Sequence, residues 1–262
     1  MKLNVYYVDA FTSNLFSGNP AAVIFSDLSD ASLMQKIAAE NNLSETAFIN
    51  LDTSSIRWFS PTCEVNLCGH ATLASAFVYF NYLSEGQSSI SLNSASGVLS
   101  VNNKENFLEL DFPKDNFNEV NMIDLVKEAT GKKPIETYLG NINLFAVYES
   151  EEIIENINPN FELVSKLEGQ GLIISSTANE YDFVSRYFCP KYGINEDPVT
   201  GSAHTTLIPY WSKKLDKSIL TANQVSKRGG ELFCSCSDDR VLIGGNACLL
   251  YTSPSPRDTR SS

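Results

Sequence analysis

The stretches Cys68-Gly69-His70-Ala71-Thr72-Leu73 and Thr200-Gly201-Ser202-Ala203-His204-Thr205-Thr206-Leu207 decide the fold, because each reads as a loop that enters a buried helix. In both, a glycine is followed by small residues and then by an apolar run, so the backbone can turn sharply into a helix. The first N–H groups of a helix lack intrahelical partners and favour an anion. The two stretches, called helix mouths below, therefore predict an anionic ligand. The alternative is a chance match, since small residues are common at helix starts.

The sequence around the two helix mouths predicts two similar halves. Short strand-like segments surround each predicted helix, at residues 3–9, 45–50 and 55–60 in the first half and 172–175, 182–189 and 218–224 in the second. Pro113-Lys114-Asp115-Asn116 is typical of a break between them. We therefore expect an α+β protein with one half at residues 1–112 and the other at residues 113–247.

The last residues, 248–262, form a segment of a different character. They contain two prolines and several Ser and Thr residues, without apolar periodicity. This pattern predicts a non-native or disordered tail outside the fold.

Composition and charge exclude several classes of partner and site. The formal charge is 19 minus 31, or −12, and no run of Lys or Arg stands out, so neither nucleic acid nor an anionic membrane surface is an expected partner. The N-terminus becomes polar too early for a signal peptide and no apolar run is long enough to span a membrane, which favours a cytoplasmic protein. The six cysteines then read as free thiols. With two histidines and no CxxC pair, no structural zinc site is expected.

Four stretches together resemble one known family. VDAFTSNLFSGNPAAVIF (8–25), NLSETAFI (42–49), RWFSPTCEVNLCGHATLASAF (57–77) and INEDPVTGSAHTTLIPYW (194–211) are similar to the PhzF family of phenazine-biosynthesis-like isomerases. The resemblance spans residues 1 to about 246. It implies the diaminopimelate-epimerase-like fold, in which two similar domains each roll a mostly antiparallel sheet around a central helix. It also implies an active site in the cleft between the halves. Family members continue past the Gly244-Gly245-Asn246-Ala247 segment with a last strand, so the resemblance implies that a closing strand is missing here, which would leave a sheet edge unpaired.

The resemblance implies three catalytic residues. Glu45 stands where the family places its acid/base glutamate, in Asn42-Leu43-Ser44-Glu45-Thr46-Ala47-Phe48. A glutamate in a partly apolar cleft can take a proton and return it. His70 and Asp197 would orient the substrate against it. Without the motif, these residues read as a solvated glutamate, a histidine near a helix start and an Asp-Pro turn.

Four further residues are expected to bind substrate. The backbone N–H groups of Gly69, Gly201 and Ser202 would hold a substrate carboxylate at the helix mouths. Asn19, in Ser17-Gly18-Asn19-Pro20, resembles a family segment that lines the cleft, although a tight turn explains it equally well.

Thr200 argues against the two-cysteine mechanism of related racemases. The related racemases and epimerases of this fold use two facing cysteines; here the first such position is Cys68, but the second is Thr200. A hydroxyl is far too weakly acidic for that role. We therefore expect Cys68 to be a buried structural residue.

The sequence predicts an isomerase that moves a proton within a small anionic substrate without a metal or other cofactor. Neither a GxGxxG nor a P-loop motif is present in the sequence, in keeping with that expectation. An epimerase of an amino or hydroxy acid is one alternative, and a catalytically silent interaction module on the same fold is another. The richness in Phe and Tyr permits a homodimer without requiring one.

Overall fold

The computed structural model describes residues 2–84 and 86–253 and divides into two compact units. The first unit comprises the chain up to Asp111 together with the residues from Gly244 onward, and the second comprises Phe112–Ile243. The chain therefore leaves the first unit once and returns to it near its end. Within the described ranges, no helix combines the length and apolar character that crossing a bilayer demands.

The elements of the first unit alternate short strands with two helices. In chain order they are β1 (Val5–Ala10), β2 (Asn19–Phe25), α1 (Ala31–Asn41), β3 (Glu45–Asn50), β4 (Ser55–Phe59), β5 (Glu64–Val65), α2 (Gly69–Val78) with a π-helical extension at Tyr79–Leu83, β6 (Ser89–Ser94), β7 (Gly97–Asn103) and β8 (Leu108–Pro113), which crosses the boundary.

The elements of the second unit follow a similar order. They are β9 (Asn118–Glu119), α3 (Ile123–Thr130), β10 (Glu136–Leu139), β11 (Leu144–Val147), α4 (Glu151–Asn156), α5 (Phe161–Lys166), β12 (Leu172–Thr177), β13 (Phe183–Phe188), a 3₁₀ turn at Pro190–Tyr192, β14 (Glu196–Asp197), α6 (Gly201–Leu215), β15 (Ile219–Gln224), β16 (Gly230–Cys236) and β17 (Arg240–Gly245). The last strand, β18 (Ala247–Ser253), belongs to the first unit.

Both units repeat one succession of strand pairings. In the first, β18, β1, β2, β3 and β4 are joined by antiparallel, antiparallel, parallel and antiparallel pairings, and β4 then pairs parallel with β6. In the second, β9, β10, β11, β12 and β13 follow the same series, and β13 pairs parallel with β15. The predicted internal repeat is confirmed by this topology, and antiparallel pairings predominate in each unit.

One helix forms the axis of each unit. Helix α2 is buried along almost its whole length and contacts β1, β2 and β3, as its run of small and apolar residues predicts.

Helix α6 contains Pro209, which lacks an N–H and so leaves the carbonyl of Thr205 without its helical donor. The backbone N–H of Asp115 donates to that carbonyl at 3.2 Å, and the Asp115 carboxylate accepts a bond from the Thr206 hydroxyl at 2.7 Å. The segment after Pro113 thus supplies the hydrogen-bond donor that Pro209 cannot provide.

The prediction that residues 248–262 form a non-native or disordered tail is wrong for residues 248–253. These residues extend β18, which pairs antiparallel with β1 from Ala10↔Ala247 to Val5↔Ser253. The expected missing strand is therefore present. The segment Cys248–Ser253 shows little periodicity because its side chains are mostly half-buried, while its backbone is fixed by pairing to β1. The remaining residues of the predicted tail, 254–262, lie outside the described residues.

Candidate functional site

Glu45 stands at the head of β3, a strand held between two neighbours. Asn42, in the left-handed conformation, ends α1 and lets the chain turn toward β3. Strand β3 pairs parallel with β2 and antiparallel with β4, and its Thr46, Phe48 and Ile49 side chains are buried. The Glu45 side chain, in contrast, retains 20% of its exposure. The fold therefore fixes the backbone of this carboxylate and leaves the carboxylate accessible.

His70 is the second residue of α2 and lies at the first helix mouth. Cys68, the N-cap residue, makes no side-chain hydrogen bond to the first N–H groups of the helix. Gly69 and His70 are both buried, and only 5% of His70 is exposed. An uncapped helix start of this kind leaves N–H groups that suit an anion.

Glu45 and His70 are brought together, with Glu45 Oε2 lying 3.3 Å from His70 Nε2. Burial lowers the pKa of His70 to about 3, so the ring is neutral near pH 7 and the pair is not a salt bridge between two charges. Among the described residues, Nε2 has no hydrogen-bond partner of good alignment despite this short distance. The Glu45 carboxylate does not keep the ring protonated, because it is misaligned with Nε2 and partly solvated and so offsets little of the desolvation cost.

The other ring nitrogen of His70 has two neighbours. Asn19 Nδ2 lies 3.2 Å from Nδ1, and the Sγ atom of Cys68 lies 3.5 Å from it. Asn19 is fully buried at the start of β2. The preceding Gly18 has φ +65°, and a Cβ there would overlap the Ala10 carbonyl oxygen, so only glycine fits the turn that delivers Asn19 to the ring.

Glu45, Cys68 and His70 also form a group of metal-ligating type. Their ligand atoms lie within 4.8 Å of one another. Within this group, Sγ is nearer to Nδ1 and Oε2 is nearer to Nε2. The group could therefore hold a metal ion.

Asp197, Thr200 and Gln224 form a second polar group, in the second unit. The Thr200 hydroxyl donates a hydrogen bond to the Asp197 carboxylate. Gln224, fully buried at the end of β15, accepts from the Thr200 N–H at 2.8 Å and donates to the Asp197 carbonyl at 2.8 Å and to Thr200 Oγ1 at 3.2 Å. This network fixes the residues that lead into α6.

The second helix mouth is uncapped like the first. Thr200 is the N-cap residue of α6 and makes no side-chain hydrogen bond to the helix N–H groups; Gly201 is buried and Ser202 is partly exposed. His204 lies one turn further on, and its Nδ1 donates to the Thr200 carbonyl at 2.8 Å. Burial, partly opposed by this bond, lowers the pKa of His204 to about 4. These contacts agree with a structural role for His204.

The candidate residues thus fall into two groups. Glu45, His70 and Asn19 are in contact beside Gly69, whereas Asp197, Gly201 and Ser202 belong to the second unit. Their roles, and the expected site between the halves, stay predictions. Sequence reasoning missed Gln224, although one signal was available. Leu220 and Ala222 mark the inward positions of β15, and Gln224 continues that alternation as a polar residue.

The internal repeat shows that the two units differ in chemistry. Leu172 heads β12 where Glu45 heads β3, and each pairs parallel with the preceding strand of its unit. At the helix mouths, Ser202 takes the place of His70. Leu172 is fully buried. Of these paired positions, only those in the first unit carry both a carboxylate and an imidazole.

Comparisons with known proteins place this geometry in context. The model of the PhzC-PhzF family, described as phenazine biosynthesis-like protein, matches residues 8–253. An uncharacterized isomerase of Pseudomonas aeruginosa is 46% identical over 254 residues, which cover 95% of this chain and 97% of that relative. A crystal structure of a PhzF-family protein from Enterococcus faecalis has a TM-score of 0.93 at 46% identity, covering 96% of this chain and 98% of the other.

A more distant comparison concerns the fold alone. A hydroxyproline epimerase from Agrobacterium vitis matches with a TM-score of 0.61 at 8% identity, over 95% of this chain and 91% of that one. Together with the PhzF-family structure, it confirms the predicted α+β fold of the epimerase-like type.

Proposed function

This chain belongs to the phenazine biosynthesis-like PhzC-PhzF family, and from this premise we propose that it is an isomerase that moves a proton within a small, carboxylate-bearing substrate. Glu45 takes the proton from one carbon and returns it to another carbon of the same molecule. The electron pair stays within the substrate and the proton passes through the Glu45 carboxyl, where part of it exchanges with solvent, so the reaction needs no oxidant, and we propose that it needs no cofactor.

The contact between Glu45 and His70 carries the proposal. The carboxylate is accessible, whereas the imidazole 3.3 Å away is buried and neutral. An accessible carboxylate can act as a general base and, once protonated, as a general acid. A neutral imidazole in a buried position can donate a hydrogen bond to negative charge that develops on the substrate. The two residues therefore divide the work: Glu45 moves the proton and His70 stabilises the intermediate.

The helix mouths supply the binding groups in this proposal. N–H groups at the start of α2, with Gly69 among them, would hold a substrate carboxylate because the helix has no side-chain cap there. Gly201 and Ser202 are proposed for the same purpose at α6, and Asp197 for a hydrogen bond to the substrate.

Thr200 bears on the epimerase alternative. A two-base epimerase needs a second acid/base group, and the Thr200 hydroxyl is instead engaged as a donor to Asp197. Leu172, at the position of the repeat that corresponds to Glu45, offers no such group either. These observations favour a proton shift by one carboxylate over a two-base epimerase.

Deuterium uptake from solvent tests the proposal. We would incubate the protein in deuterium oxide with a panel of small carboxylic acids, cyclohexadienoid acids included, and follow isotope uptake by NMR. The expected result is uptake into at least one acid, at a rate that falls by about 10²–10⁴ in Glu45→Gln, the range that general acid–base catalysis contributes.

A matched variant controls for the loss of a negative charge. Glu40 lies on α1 of the same unit and is exposed, so Glu40→Gln should retain the wild-type rate. Equal rates in the wild type and Glu45→Gln would refute the role of Glu45. Folded protein that exchanges none of the acids would favour the interaction module instead.

A further inference from the structure

We infer that Asn19 is a positioning residue that fixes the tautomer of His70, so that the single ring proton lies on Nε2 and faces Glu45. The inference rests on the proposed function for its catalytic meaning. The tautomer itself is a physical property of the folded chain and can be measured without a substrate.

The hydrogen bond between Asn19 and His70 can run in one direction only. The Asn19 amide nitrogen, 3.2 Å from Nδ1, carries two hydrogens and accepts none. Nδ1 must therefore be the acceptor and carries no proton. Because burial keeps the ring neutral, its one proton resides on Nε2.

The Asn19 amide, which is the donor, is held rigidly. Asn19 is fully buried and begins β2, where it pairs with Ala10 of β1. Gly18, before it, is held in the left-handed conformation, and Pro20, after it, has a fixed φ. The Asn19 amide therefore contacts the His70 ring from a backbone that has little conformational freedom. Cys68 Sγ, at 3.5 Å, can donate or accept weakly and so is compatible with this tautomer.

The bond at Nδ1 determines what Nε2 presents to Glu45. With the proton on Nε2, an N–H group lies 3.3 Å from Glu45 Oε2 and has no well-aligned partner among the described residues. A buried donor of this kind costs free energy until an acceptor arrives, and a substrate oxygen that gains negative charge is such an acceptor. The opposite tautomer would present a lone pair to the carboxylate and to the substrate oxygen, which repels both.

His204 provides an internal reference, because its environment selects the opposite tautomer. Its Nδ1 lies 2.8 Å from the Thr200 carbonyl oxygen, which can only accept, so the proton is on Nδ1. The chain contains two histidines. A spectrum of histidine-labelled protein should therefore show one ring of each tautomer.

The test is long-range ¹H–¹⁵N NMR of protein labelled with ¹⁵N-histidine, measured at pH 7. His204→Gln removes one ring and assigns the other. We expect His70 in the Nε2–H form alone. In Asn19→Asp the carboxylate can only accept, so Nδ1 should become protonated and the rate of deuterium uptake should fall at least about tenfold. Cys68→Ser keeps a donor beside Nδ1 and should leave the His70 tautomer unchanged.

Each contrary outcome overturns the inference. Wild-type His70 with its proton on Nδ1 refutes the assigned bond even if Asn19→Asp does not fold. A folded Asn19→Asp protein whose Nδ1 stays unprotonated, or a Cys68→Ser protein whose tautomer changes, shows that Asn19 does not control the ring. Failure of the proposed function is distinguishable, because it would leave the tautomer as inferred while Glu45→Gln exchanges deuterium at the wild-type rate.

Discussion

Gln224 is the residue through which the second polar group can be tested most sharply. Its buried amide accepts one hydrogen bond from Thr200 and donates two, to the Asp197 carbonyl and to Thr200 Oγ1. Gln224→Met keeps a side chain of similar length and removes all three bonds. Gln224→Glu keeps the acceptor toward the Thr200 N–H and removes both amide donors.

The structure sets the size of the expected effect. In Gln224→Met, the Thr200 N–H and the Asp197 carbonyl each lose a partner, at about 1–3 kcal/mol per buried group. Asp197 is partly exposed, so water can reach its carbonyl, and we expect a total loss of about 2–4 kcal/mol in the free energy of unfolding. This is a large part of the roughly 5–15 kcal/mol that stabilises a domain.

Urea unfolding and amide hydrogen exchange measure the loss. Because the chain has two units, one unfolding midpoint need not report on both, so the exchange rate of the Thr200 amide is the sharper measurement. We expect faster exchange of this amide in Gln224→Met and near-wild-type exchange in Gln224→Glu at low pH. Gln170→Met, at an exposed position, is the control and should change stability by less than about 0.5 kcal/mol.

Gln224→Glu adds a dependence on pH. Burial and the neighbouring Asp197 would raise the pKa of the new carboxyl in the folded state above its unfolded value. The protonated form can donate to the Asp197 carbonyl, so its stability relative to wild type is greatest below the unfolded pKa. That relative stability should fall as pH rises through the folded pKa. A pH-independent difference, or a loss below 1 kcal/mol in Gln224→Met, would refute the proposed network.

Three further predictions concern the scaffold. Gly18→Ala should destabilise the protein by more than about 1 kcal/mol because it combines a positive φ with a backbone overlap, whereas Gly131→Ala, with a positive φ in open space, should cost less in the same urea titration. His70 and His204 have pKa values of about 3 and 4 in the folded state, below the ordinary 6.5, so the unfolded chain binds more protons as pH falls from 6.5. Each histidine should therefore lower the free energy of unfolding by about 2 kcal/mol as pH falls from 7 to 5, which would appear as a lower urea midpoint. Truncation after Asn246 removes β18 and should destabilise the first unit by on the order of 5 kcal/mol, at about 1 kcal/mol per lost hydrogen bond, measured against the full chain.

The motifs and the apolar pattern could be predicted from sequence because they are local. Asp30 caps α1 with bonds to the next backbone N–H groups, and Asn42 ends that helix in the left-handed conformation, as their residue types indicate. The two helix mouths likewise follow from a glycine and an apolar run over a few residues. The resemblance added Glu45 and His70, which the structure brings to 3.3 Å.

Long-range contacts could not be predicted from a local pattern. Asn19 and His70 are 51 positions apart, and Thr200 and Gln224 are 24 apart, so neither bond leaves a mark in neighbouring residues. The last strand was missed for a related reason. Its pairing with β1 depends on a partner at the other end of the chain, and its half-buried side chains carry no clear alternation.

In the proposed reaction one carboxylate, Glu45, takes a proton from the substrate and returns it. Once the acid panel has identified a substrate, the direct measurement is a single turnover in ordinary water with deuterium at the carbon that loses its proton. We expect part of this deuterium to appear at the new position in the product, and both its removal and its transfer to be lost almost completely in Glu45→Gln. Removal and transfer at the wild-type rate in Glu45→Gln would show that Glu45 is not the group that moves the proton.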